Sequence, residues 1–321
     1  MAADPRPGSE RRLRVMGSDA HIVLDGDPRL LDVAQRRLAE LEARWSRFLP
    51  TSEISRLNGS AGALTVVSAE TYRLVSLAVD AWRATSGRFD PTVLGDVIRA
   101  GYDCSFEQLN ARRAHAPLSG LSRGAGGIVL MPSVSAVALP PGIAIDPGGI
   151  GKGLAADLLA EELIAAGAAG VCVNVGGDLR VGGTWGGEEA WLVAVDPADD
   201  GHPVAYVELG AGAVATTTRR RRTWTIAGSE YHHVIDPSTG APSDAGVASI
   251  AVLAGECWWA EVLAKAAFVA GAVDALSVID EAGAAGLVVD RDGRARHSSG
   301  LARYLAGGCL LAAGDRVRGT R

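Results

Sequence analysis

Apolar positions recur along this chain at two spacings, every second residue or every third to fourth, and these spacings predict its elements. Residues 14–24 alternate as a first strand, and Pro28 to Trp45 carries apolar residues at helical spacing with charges between them. A polar loop is expected over Ser46 to Asn58, then a helix from about Ser68 to Ser86 stopped by Gly87. Beyond Phe89-Asp90-Pro91-Thr92 the pattern is less regular to about Pro117, and Gly127 to Val137 reads as a hairpin strand. The clearest unit follows: a strand Ile143 to Asp146, a glycine turn, a helix Leu154 to Ala166 stopped by Gly167, and a strand Gly170 to Val175. Trp191 to Asp196, Ala205 to Leu209, Val214 to Thr218, Thr223 to Ile226 and Tyr231 to Ile235 are read as short strands. A helix is expected over Cys257 to Ala270, then a helix Ala275 to Ala282 and a strand Gly286 to Asp290. No internal repeat and no Pro- or Ser-rich linker divides the chain.

Composition narrows the class. With 321 residues and 48% hydrophobic content, the chain can bury one large core or two smaller ones. A net charge of -6, with Arg219 to Arg222 as the sole dense basic run, argues against a nucleic-acid partner. Residues 1–14 are polar and charged, without the apolar stretch of an export signal, and Leu301 to Ala313 is too short and Gly/Ala-rich to span a membrane. The expectation is a cytoplasmic protein with no membrane span. Cys104, Cys172, Cys257 and Cys309 are far apart with no Cys-x-x-Cys pairing, against a zinc ribbon or a disulfide framework.

Two segments carry candidate chemistry. His232-His233-Val234-Ile235-Asp236-Pro237-Ser238-Thr239-Gly240-Ala241-Pro242 packs two imidazoles, a carboxylate and turn-forming residues together. Imidazoles at a strand mouth can move protons near neutral pH, and a hairpin whose histidines merely hold backbone groups fits the same residues. Asp146-Pro147-Gly148-Gly149-Ile150-Gly151-Lys152-Gly153 joins a strand to a helix start, bringing backbone N–H groups, a dipole end and a lysine to one point, as an anionic phosphate requires. The dinucleotide pattern fails because Leu154 stands where its third glycine belongs. The P-loop fails because Gly153 stands where a Ser or Thr should bind magnesium. A phosphate site of neither standard type, or a tight structural turn, remains.

Taken in order, these segments resemble the ApbE family, the FAD:protein FMN transferases. The resemblance is carried by Met16-Gly17-Ser18, Ser52-Glu53-Ile54-Ser55-Arg56-Leu57-Asn58, Gly87-Arg88-Phe89-Asp90-Pro91-Thr92-Val93, Asp146 to Gly153 followed by Asp157, Asn174-Val175-Gly176-Gly177-Asp178, Ala215-Thr216-Thr217, and His232 to Pro242. It implies an α+β fold of antiparallel sheets flanked by helices, a single domain over 14–314 of two intertwined lobes with FAD in the cleft between them, a tail over 1–13 and a loose end over 315–321. The implied reaction uses magnesium to move FMN from FAD onto a threonine or serine hydroxyl of an acceptor protein, releasing AMP. Met16, Phe48, Arg88, Phe89 and Asp90 would line the flavin site. Asp146 and Lys152 would hold the nucleotide, with Thr216, His233 and Ile235 completing the contacts, and Gly149 would offer a metal ligand through its carbonyl. His233 is the first candidate for the group that accepts the hydroxyl proton, His232 the alternate, and Asp236 the orienter, and a carboxylate base fits the same chemistry.

The sequence departs from the family at its metal site. Where relatives present an aspartate and, four residues later, a threonine, this helix has Glu261 and Lys265. An ammonium cannot coordinate magnesium. Three arrangements compete: a surface i, i+4 ion pair; a Lys265 ammonium standing in the place of the ion as part of the catalytic set; or magnesium held by Glu261, Gly149, water and phosphates with Lys265 turned aside. The alternatives to transfer are FAD hydrolysis to FMN and AMP, and FAD binding without chemistry. The family's acceptor signature pairs Asp-Gly with a downstream Thr or Ser. Asp25-Gly26 and Asp292-Gly293 lack that continuation, so the chain is not expected to be its own acceptor. Arg219 to Arg222 reads as a solvated turn or as a contact for an acidic acceptor.

Overall fold

A computed structural model describes residues 8–109, 123–196, 202–226, 228–308 and 310. The expected irregular segment between 110 and 117, the tail residues 1–7, Cys309 and the expected loose end over 315–321 lie outside the described residues.

The first strand expected over 14–24 is a hairpin, β1 (Ser9–Val15) and β2 (Ser18–Asp25). Its two-residue turn is Met16-Gly17 with φ of 51° and 62°, the turn whose twist matches the flanking strands. Residues 9–13, expected as tail, are therefore strand. Helix α1 (Leu30–Trp45) follows, and the expected polar loop contains α2 (Glu53–Asn58), capped when the Ser52 hydroxyl accepts the Ser55 N–H. One helical turn is too short for its buried Ile54 and Leu57 to register as periodicity. Strand β3 (Thr65–Val66) precedes α3 (Ala69–Ala84), which Ser68 caps, and the chain leaves it at Gly87 as expected. Then come α4 (Leu94–Arg99), α5 (Phe106–Leu109) and the hairpin β4 (Val129–Met131) with β5 (Ala136–Ala138). Ile143 to Asp146 does not join a sheet. Instead the Asn58 side chain pairs with the Ile145 backbone, donating to its carbonyl at 2.9 Å and accepting its N–H at 2.7 Å.

The remainder runs α6 (Gly151–Ala165), β6 (Gly170–Val175), β7 (Asp178–Gly183), β8 (Trp191–Val195), β9 (Ala205–Leu209) and β10 (Gly212–Thr218). After these come β11 (Thr223–Ile226), β12 (Ser229–His232), β13 (Ile235–Asp236), β14 (Ala241–Pro242), β15 (Val247–Ala254), α7 (Cys257–Glu281), β16 (Ala285–Asp290) and β17 (Ala295–His297). β15 is absent from the expected elements because its near-continuous apolar run carries no alternation. The two helices expected after Cys257 are α7, broken at Gly271 with φ 88°.

The described residues form two compact units from interleaved segments: 1–38, 152–218 and 245–321 in one, and 39–151 and 219–244 in the other. The first is built on an eight-stranded antiparallel sheet in the order β1-β2-β6-β7-β10-β15-β16-β17. Successive residues of β10 and β15 are buried, so both faces of these central strands are covered. Helix α7 packs against β10, β15 and β16. Trp191, Val193, Val207 and Leu209 of the β8–β9 hairpin join Val181, Val214, Leu253 and Leu287 in one core. By length and composition α7 would suffice to cross a membrane, contrary to the reading of the sequence. Its Val262, Leu263, Ala266 and Phe268 are buried in this unit, as in a core helix.

The second unit holds the three-stranded sheet β3-β5-β4, the hairpins β11–β12 and β13–β14, and helices α2 to α5. Val97, Ala100, Tyr102, Trp224 and Ile235 form an aromatic-rich core, in which the Trp224 indole donates to the Ala100 carbonyl at 2.6 Å. Antiparallel sheets flanked by helices are the α+β class that the sequence implies.

Candidate active site

In the second unit, three sequence motifs converge on Asp146. Its N–H donates to the Pro91 carbonyl at 2.7 Å, which ties the glycine loop to Phe89-Asp90-Pro91-Thr92. Its carboxylate accepts the Gly148 N–H at 2.8 Å and faces the Arg47 guanidinium at 3.5 Å. Asn58 holds the residue before it, as described above. Asp90 is spent on its own turn, accepting the Thr92 N–H and hydroxyl at 2.8 and 2.6 Å, and Thr92 in turn accepts the Gly124 N–H at 2.7 Å. Phe89 is buried and Arg88 exposed, so only Arg88 of that expected trio has a solvent-facing side chain. Gly149 ends the 3-10 turn Pro147–Gly149.

Arg47 was not among the expected residues, yet it organises this site. Its guanidinium lies 4.1 Å from the centre of the Phe48 ring and 4.7 Å from that of Tyr102, and donates to the Tyr102 carbonyl at 2.9 Å. Phe48 remains about a third exposed at 36%, a flat apolar face held by a cation and by the Tyr102 ring at 5.8 Å. Arginines are common on loops, and nothing in the local pattern separates this one from its neighbours Arg44 and Arg56.

The two histidines of the His232 to Pro242 segment have different surroundings. His232 is buried, its Nδ1 accepting the Val234 N–H at 3.3 Å and its Nε2–H donating to the Ser243 carbonyl at 3.0 Å. Both ring nitrogens thus serve the backbone, which removes His232 from the choice of base. His233 is half-buried at the bend between β12 and β13. Asp236 accepts the Ser238 N–H and hydroxyl at 2.8 and 2.7 Å and so closes a turn rather than orienting an imidazole. That turn is anchored by Arg123, which donates to the Pro237 carbonyl and pairs with buried Asp96 at 3.4 Å. Ile235 lies in the aromatic core.

In the first unit, charged groups gather where α6 begins. Lys152 pairs with Asp178 and, at 2.5 Å, with Glu261, while Lys265 reaches the same Glu261 oxygen at 3.1 Å. The other Glu261 oxygen accepts the Gly153 N–H at 2.8 Å. Gly153 makes this possible by close approach, since a Cβ there would lie 2.6 Å from the Cys257 carbonyl oxygen. Asp157, one turn further along α6, accepts the Cys257 and Trp258 N–H groups at 2.8 and 2.9 Å and so caps α7 from another helix. Asp178 follows the Gly176-Gly177 turn between β6 and β7, whose φ values of 64° and 98° favour glycine. Thr216 is half-buried in β10, paired with Ala251, and Met16 is half-buried at its hairpin turn.

Burial would raise the Glu261 carboxyl, but the Lys152 and Lys265 ammoniums and its hydrogen bonds outweigh it and bring it to about 2. Asp178 goes the other way, since burial and the Glu261 charge raise it to about 6 against the two ammoniums. The two carboxylates share Lys152, and Glu261 with its three donors is the one held ionised. Burial lowers the Lys265 ammonium and Glu261 opposes that shift.

A divalent ion on Glu261 does not fit these residues. Both of its oxygens are engaged by cations or an N–H, and among the described residues no group of three or more His, Cys, Asp or Glu could hold a metal ion. The expected Glu261 metal ligand is instead the centre of an ion-pair network. Glu261 is fully buried, so the surface-pair arrangement is excluded, and Lys265 is turned toward it rather than aside.

The model of the ApbE family matches residues 16–288. The chain is 30% identical over 256 residues to the FAD:protein FMN transferase of Vibrio cholerae, covering 76% of this chain and 74% of that protein. It is 28% identical to the protein of the same name from Treponema pallidum, over 78% of this chain and 74% of the other. Among solved structures, the ApbE protein of Thermotoga maritima superimposes with a TM-score of 0.81 at 28% identity, covering 91% of this chain and 97% of that one. The flavin transferase ApbE of Vibrio cholerae does so with a TM-score of 0.72 at 26% identity, over 93% and 100%.

Proposed function

The chain belongs to the ApbE family, and on that premise we propose that it is an FAD:protein FMN transferase, with FAD as substrate and a protein hydroxyl as acceptor. The observation that carries this reading is the convergence of separate motif segments on Ile145-Asp146 through Asn58 and Pro91, with Arg47 facing Asp146, beside the match to transferases over three quarters of the chain. The acceptor oxygen attacks the FMN-side phosphorus, the bond from that phosphorus to the bridging oxygen breaks, and AMP departs with the bridging oxygen. Such transfer needs phosphate charge offset, an aligned hydroxyl and a proton acceptor.

In the second unit, Phe48 on Arg47 offers a face for the flavin ring and His233 is the group proposed to take the hydroxyl proton; in the first, Lys152 offers positive charge to a phosphate. A cytoplasmic location is part of the same proposal, supported by Cys172 and Cys257 standing as free thiols, and cell fractionation tests it.

The decisive experiment incubates the purified protein with FAD and a peptide bearing Asp-Gly followed by a downstream threonine. Covalent flavin on the peptide with release of AMP supports transfer. Free FMN and AMP without labelled peptide would mean hydrolysis, and unchanged FAD would mean binding alone.

A further inference from the structure

The four charged side chains at the start of α6 are arranged in two tiers. The inner tier is anionic, with the Glu261 side chain fully buried and that of Asp178 3% exposed. The outer tier is cationic, since Lys152 and Lys265 keep 14% and 16% of their side chains exposed. Lys152 and Lys265 are thus the less buried members of the cluster, and each ammonium is oriented by a carboxylate.

A divalent cation at a Glu261 oxygen would stand beside Lys152 and Lys265, which share one oxygen, or beside the Gly153 N–H on the other, and the two ammoniums would repel it. Removing the partners of a buried carboxylate is costly in itself. An anion needs no displacement. An ammonium has three N–H donors, and Lys265 gives one to Glu261, which leaves donors for a phosphate oxygen. The arrangement therefore has the opposite preference from a metal site: it accepts phosphate oxygens and repels the ion.

Resting on the transferase reading, we propose that the Lys152–Lys265 ammonium pair replaces a divalent metal in this chain, neutralising the FAD pyrophosphate so that FMN transfer proceeds without one. The bonds made and broken are those of the transfer above, the hydroxyl proton passes to His233, and no electron is exchanged. Lys152 and Lys265 strengthen their hold as negative charge moves onto the departing AMP phosphate.

The test uses the full chain, FAD and the acceptor peptide, in EDTA and in Mg²⁺. The expected result is labelling in EDTA at a rate within about twofold of that in Mg²⁺, no Mn²⁺ bound to the protein alone by electron paramagnetic resonance, and an FAD affinity that Mg²⁺ does not change. Lys265→Met, checked for folding by circular dichroism, loses roughly 10²-fold or more in transfer under both conditions. Transfer by the unaltered protein that requires Mg²⁺, or FAD binding that strengthens tenfold or more with it, overturns the proposal without reference to any variant. Tight FAD binding in EDTA with no labelled peptide under either condition would defeat the transferase reading and the metal-free transfer with it.

Discussion

Replacing Gly153 with alanine adds a single methyl group to the third residue of α6, and helix propensity alone forecasts a gain of about 1 kcal/mol. The structure forecasts a loss. The new Cβ would stand 2.6 Å from the Cys257 carbonyl oxygen, 2.7 Å from its carbon and 2.8 Å from the Trp258 Cα, all backbone atoms that no rotamer change can move. Close C···O contacts settle near ~3.3 Å, so the α7 terminus must retreat by roughly 0.7 Å. Three hydrogen bonds cross that gap: Gly153 to Glu261 at 2.8 Å and Asp157 to Cys257 and Trp258 at 2.8 and 2.9 Å. The retreat takes them to about 3.5 Å, beyond useful length. Overpacking of about 1–3 kcal/mol and about 1 kcal/mol for each of the three weakened bonds exceed the propensity gain, leaving a net loss of about 3–5 kcal/mol. Urea unfolding should show a lower midpoint with an unchanged m-value, and FAD affinity should fall because Glu261 no longer holds both lysines. A midpoint equal to or above that of the unaltered protein would refute the close packing of α6 on α7.

Four further outcomes are expected. Burial raises the Asp157 carboxyl from 3.8 to about 6, against the N–H groups of Cys257 and Trp258 and the Arg180 charge, so its contribution to stability is full below 3.8 and is lost as pH rises through 6. That window is worth roughly 3 kcal/mol; the stability advantage over Asp157→Asn should shrink by about this much between pH 4 and 7, and an advantage that grows with pH would show the N–H donors winning over burial. Asn58→Ala leaves the Ile145 N–H and carbonyl without their partner, at about 1–3 kcal/mol each, and should raise KM for FAD more than it lowers kcat; an unchanged KM would count against its support of the Asp146 loop. His233→Gln should lower kcat with little change in melting temperature. His232→Gln should lower melting temperature and leave the pH profile of kcat in place, and the reverse pattern would exchange their roles.

Much was legible in local pattern. Ser68 and Gly87 bracket α3, the turn over Asp236 to Gly240 lies where its composition places it, and the ordered motifs identify the family without any contact being known. Elements misread had physical reasons. The Met16-Gly17 turn puts a non-glycine residue at φ 51°, which no turn rule anticipates, and β15, covered on both faces, carries no alternation to read. Arg47 and Asn58 act on Asp146 and Ile145, 99 and 87 residues away along the chain, so no window of sequence contains both partners.

The sequence by itself determined the family, the α+β class and the presence of Glu261 and Lys265 at helical i, i+4 spacing. Spacing puts two side chains on one helix face but does not say whether that face meets water or a core. Only the folded chain decided this, by setting Lys152, 109 residues distant from Glu261, and Asp178 against it. In water the pair would be worth a few tenths of a kcal/mol. Buried together, the same charges cannot be released singly, because solvent no longer stabilises them, and so a surface ion pair becomes a fixed cationic site.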